Sequence, residues 1–74
     1  MDPDANWQLL LEAITEQDWE RTSELAQAVL VWLDRGGFPP QSVLRVNLGK
    51  EWDTAVTRFA CAYALATATR ESMS

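Results

Sequence analysis

The residues able to do chemistry in this chain are few, and their spacing limits what they can do. Histidine is absent, the only cysteine is Cys61 and the only lysine is Lys50. A nucleophile needs a base at fixed geometry, and a structural metal needs several thiolate or imidazole ligands converging on it. Cys61 meets neither demand: the nearest basic residue, Arg58, lies three positions back, about 60° round a helix at 100° per residue. Set among Ala60, Ala62 and Ala64, it reads as a small helix-packing residue. The carboxylates Glu16, Glu20 and Glu24 share a helix flank at i, i+4 spacing, and Glu12 with Glu16 is the one pairing suited to a divalent ion. No E-x-x-H or twin-carboxylate pattern answers them from a second helix, so they are expected to form a solvated acidic face. The expectation is a protein that is not an enzyme, with no catalytic residue, metal, cofactor or small-molecule ligand.

Apolar and aromatic residues are the richer signal, and helices must position them. The four tryptophans, Trp7, Trp19, Trp32 and Trp52, each have apolar companions at helical spacing. The clearest segment is Asp18 to Gly37, where Trp19, Leu25, Ala26, Val29, Leu30, Trp32 and Leu33 fall on one broad face and Glu20, Glu24, Gln27, Asp34 and Arg35 lie opposite. Val31 is the one sizeable apolar residue on the polar side. Thr15 is expected to cap this helix, with Ile14 stapled onto Trp19. Gly36 or Gly37 can take the left-handed stop, and Pro39 and Pro40 forbid continuation. The run from Asp18 to Ala28 resembles the first helix of a tetratricopeptide-type repeat. No second copy follows it and the repeat's glycine, tyrosine and later proline positions are missing, so no peptide groove is carried over.

Before this segment, Asp2 caps a first helix with Pro3 at its first position, and Trp7, Leu10, Leu11 and Ile14 recur on one face while Leu9 falls off it. After it, 41–48 reads as a short helix closed by Gly49, with a strand pairing between two chains as the alternative. The last helix carries a large-residue spine of Trp52, Val56, Phe59 and Tyr63, flanked by Ala55, Ala62 and Ala66. Cys61, Ala64 and Ala68 lie round its back.

The sequence therefore predicts an all-α chain, a small three- to four-helix bundle with helices at about 3–14, 16–35, 40–48 and 50–70. It forms a single domain over 1–74, with a frayed tail at 71–74. A chain of 74 residues has a modest core and benefits from self-association. Leu9, Val31, Trp32, Cys61, Leu65 and Ala68 are the expected protein interface, with Trp32 at its edge.

The net charge is −5, with the acids concentrated before Arg35 and a small basic excess after it. This polarity suits chain-on-chain packing and argues against a nucleic-acid surface, which needs a basic stripe. The acidic start is unlike a secretory leader and no apolar run is long enough to cross a bilayer. A cytoplasmic protein-binding or regulatory module, as a homodimer, is the functional expectation. A structural or self-assembling subunit is the alternative, and a helical nucleic-acid regulator a more distant one.

Overall fold

A computed structural model describes residues 1–73. It is all-helical, with α1 over Pro3–Thr15, α2 over Trp19–Asp34 and α3 over Lys50–Ser72. No strand occurs among the described residues, only a single bridge between Val43 and Val46. Helix α2 is central: α1 and α3 both pack on it and make little contact with each other. Trp7 and Leu10 of α1, Ala26, Val29 and Leu33 of α2, and Cys61 and Ala64 of α3 form the core.

Helix α1 starts as its sequence dictates, with the Asp2 carboxylate accepting from the amides of Asp4 and Ala5. This satisfies donors that the first helical turn leaves open. Its inner face is Trp7, Leu10 and Ala13, and Leu11 is exposed instead.

The junction between α1 and α2 differs from the expectation. Thr15 closes α1, its hydroxyl donating to the Leu11 carbonyl, while Gln17 takes a left-handed φ of 58°. The amides of Gln17 and Asp18 turn back to the carbonyls of Ile14 and Ala13, the pairing of a Schellman stop. Asp18, rather than Thr15, then caps α2 by accepting from the Arg21 amide. Three residues thus end one helix and begin the next.

The stop of α2 is the one its glycines announce. Gly36 is left-handed at φ 83°, and the amides of Gly36 and Gly37 donate to the carbonyls of Leu33 and Trp32. Gly37 is needed for a different reason: a Cβ there would lie 2.3 Å from the Trp32 indole, which folds over it.

The short helix expected over 40–48 does not form, and neither does a strand. Its backbone groups are claimed by side chains from elsewhere. The Gln41 amide donates to Asp4 at 2.8 Å, and the Ser42 amide and hydroxyl donate to Asp53 at 3.1 and 2.7 Å. The Gln41 side chain donates to the carbonyls of Val43 and Val46, closing a tight turn with Arg45 at a left-handed φ of 64°. Pro40 is buried beneath it. The loop therefore ties the start of α1 to the start of α3.

Helix α3 extends beyond the expected end at residue 70. In the tail expected to fray at 71–74, Glu71 and Ser72 are placed in the helix and Met73 is its cap. Its last residue, 74, lies outside the described residues.

Candidate functional site

The face of α3 that meets α2 is made of small side chains. Asp53, Thr57, Cys61, Ala64 and Ala68 are its buried residues, and they fall within one arc of the helix. Small residues let two backbones approach closely, and the facing stretch of α2, with Thr22, Ala26 and Val29, is also slender. Two further contacts set the rotation of the helix. The Asp53 carboxylate is drawn inward to Ser42, and Arg58 reaches the Asp34 carboxylate of α2 at 2.7 Å along one margin. That ion pair is well solvated and contributes little stability, but it fits only this rotation.

The consequence is that the aromatic spine faces water. Trp52 is 67% exposed, Phe59 74% and Tyr63 63%, on the side of α3 opposite Cys61 and Ala68. The spine of Trp52, Val56, Phe59 and Tyr63 is expected inward and the small residues at the back; the structure reverses the two faces. Phe59 and Tyr63 are stacked at 6.4 Å between ring centroids. Beside them a groove enclosing about 340 Å³ is lined by Ile14, Trp19, Phe59, Ala60, Tyr63, Ala64 and Thr67, with hardly a polar atom in its walls. Ile14 and Trp19, the expected staple at the helix junction, form its far wall. At the start of α3, the Lys50 ammonium lies 4.9 Å from the centre of the exposed Phe38 ring, a cation–π contact that holds the loop edge near the same helix.

The six residues expected to form an interface do not make one surface. Cys61 and Ala68 are wholly buried against α2, and Leu65 is half-buried and packed on the core. Cys61 and Ala68 therefore have no surface to offer, and Leu65 only part of its side chain. Leu9 is half-buried on the shoulder of α1, and Val31 is exposed on the outer side of α2. Trp32 is half-buried and already partnered within the chain: its indole packs over Gly37 and its Nε1–H donates to the Phe38 carbonyl at 2.7 Å. Its place at the edge of the apolar arc coincides with the stop of α2.

The one thiol is held back by its surroundings. Burial pushes the Cys61 thiol up to about 11 from an ordinary value of 9.0, which keeps it protonated and without nucleophilic character. Among the described residues no three side chains of metal-ligating type gather, and no helix is long and apolar enough to cross a membrane. Comparison with protein-family models, with curated proteins and with solved structures gives no match.

Three exposed aromatics in the same arc of one helix were present in the sequence as spacing. Spacing alone does not say which of two apolar faces is turned inward. The signal that separates them is the Asp53 carboxylate, which shares the small-residue face and needs a donor that only the loop before α3 supplies.

Proposed function

We propose that this protein is a docking module of the cytoplasm, without catalysis of its own, that works by presenting the outer face of α3 and the adjoining groove to a protein partner. The observation that carries this reading is the exposure of Trp52, Phe59 and Tyr63 along one side of the longest helix. A full aromatic side chain covers about 150–250 Å², so these three leave roughly 400 Å² of aromatic surface in water. That is as large as the biggest apolar patch of an ordinary monomer, ~300–600 Å². Trp and Tyr are the side chains that most often anchor interfaces, through large rigid area with a polar tip. The rest of the molecule is in keeping with this reading: there is no histidine, the thiol is buried, and the acidic residues are exposed apart from Asp53, whose carboxylate is bonded to Ser42.

The test is photo-crosslinking in cells of the source organism. A benzophenone side chain introduced at Phe59 is expected to trap a protein, while the same group at Gln8, on the exposed side of α1, traps none. Equal yields at the two sites, or none at Phe59, contradict the reading.

A further inference from the structure

The docking reading leaves the occupant open, and the spacing of the exposed face identifies one. Along the outside of α3 the seam runs Trp52, Val56, Phe59, Tyr63, Ala66, Arg70, with steps of four, three, four, three and four residues. This is the heptad seam by which two helices pack side by side, and it is sustained for most of the length of α3. In a soluble helix with one covered face such a seam points inward. Here it points out, because the small face of Thr57, Cys61, Ala64 and Ala68 is the one already packed on α2.

We infer, resting on that docking reading, that the occupant is α3 of a second copy, packed antiparallel about a two-fold axis level with residue 61. In that register Phe59 meets the partner's Tyr63, Val56 meets the partner's Ala66 and Trp52 meets the partner's Arg70, and each contact occurs twice, as an isologous interface requires. The pairing is aromatic against aromatic at the centre, where Phe59 and Tyr63 already stack within one chain, valine against alanine next to it, and indole against guanidinium at the ends. At the ends the guanidinium of Arg70 lies over the Trp52 indole, a cation–π pair of the favoured kind. Charge disfavours the other orientation: a parallel seam sets Arg70 directly against the partner's Arg70, with the helix dipoles aligned, whereas antiparallel dipoles attract.

The margins fit the same arrangement. Ala55, Ala62 and Thr69 run along one side and Asp53, Ala60 and Thr67 along the other, short side chains that let the two backbones close, with the Asp53 carboxylate turned in to Ser42. The groove beside Phe59 opens on the second margin, so a helix laid on the seam also covers its mouth. The aromatic surface of the two chains together is on the order of 800 Å². With Val56, the alanines and the Arg70 stems added, the interface approaches the ~1,200 Å² at which specific association begins.

Sedimentation equilibrium combined with a cysteine scan in a Cys61→Ala background tests this. Wild type is expected to sediment as a dimer, and Tyr63→Arg as a monomer with unchanged helical circular dichroism. Ala62→Cys, whose position lies beside the axis, is expected to form a disulfide-linked dimer under mild oxidation. Trp52→Cys is not, because antiparallel packing puts the two copies of that position about 27 Å apart. A mixture of Trp52→Cys and Arg70→Cys chains is expected to cross-link. Rapid linkage of Trp52→Cys with itself overturns the antiparallel register. A wild type that stays monomeric at every concentration overturns the second copy as occupant, and the docking reading then stands or falls separately on whether Phe59 traps a different protein in cells.

Discussion

Replacing Phe59 by alanine should barely disturb the folded single chain, although the residue is a phenylalanine in the middle of the longest helix. About a quarter of its side chain touches protein, on the order of 50 Å², and at about 25 cal/mol per Å² its loss costs about 1 kcal/mol. Alanine has the better helix propensity by about 0.5 kcal/mol, which leaves a net loss of about 0.5–1 kcal/mol. An inward phenylalanine cut to alanine loses about 3–5 kcal/mol. The assay is urea unfolding followed by tryptophan fluorescence at the lowest workable concentration, so that any association between chains is absent. With a slope of about 1 kcal/mol per molar urea, the midpoint should move by less than about 1 M. The reciprocal change, Ala64→Leu, forces extra bulk into the contact between α2 and α3 and should cost about 1–3 kcal/mol. A loss of 3 kcal/mol or more for Phe59→Ala, with Ala64→Leu neutral, would refute the orientation of α3 and everything built on it.

Other parts of the fold give separate outcomes. Gly37→Ala places a Cβ 2.3 Å from the Trp32 ring; the indole must leave, the bond to the Phe38 carbonyl is lost, and a destabilisation of about 2 kcal/mol or more with a shifted tryptophan emission is expected. Thr57→Val removes a buried hydroxyl that has no hydrogen-bond partner; leaving such a group unpaired costs about 1–3 kcal/mol, so the variant should be neutral to more stable in thermal unfolding. The Cys61 thiol should resist an aromatic disulfide reagent at pH 8 until urea is added. Because folding raises its pKa from 9.0 to about 11, the protonated thiol favours the folded state at full strength below pH 9. That contribution is lost as the pH rises through 11, and pH-dependent unfolding should show a decline in this window.

Local chemistry was legible in the sequence wherever a residue acts on its own neighbours. Asp2 with Pro3, the paired glycines after Asp34, and the apolar arc of α2 all stand where their residue types put them, because caps, stops and helical periodicity depend on a few adjacent positions. Thr15 and Asp18 were harder to tell apart, since both can cap; the left-handed Gln17 decides it, and nothing in a glutamine announces that conformation. The 40–48 segment was misread because its backbone partners, Asp4 and Asp53, are distant in the chain. The two faces of α3 were reversed for a related reason. A helix with large residues on one side and small ones on the other buries whichever side its neighbour accommodates, and α2 accepts the small side at close range.

The most direct measurement is side-chain footprinting of Trp52, Phe59 and Tyr63 by hydroxyl radicals, first on dilute purified protein and then inside intact cells. All three are expected to be readily oxidised at a dilution where the chains are separate and protected in cells, while Val31, exposed on α2, reacts equally in both. Equal oxidation in both would mean that nothing docks on the face, and protection of Trp52 and Phe59 in the monomeric Tyr63→Arg variant would place that face against the chain's own core; either result contradicts this reading.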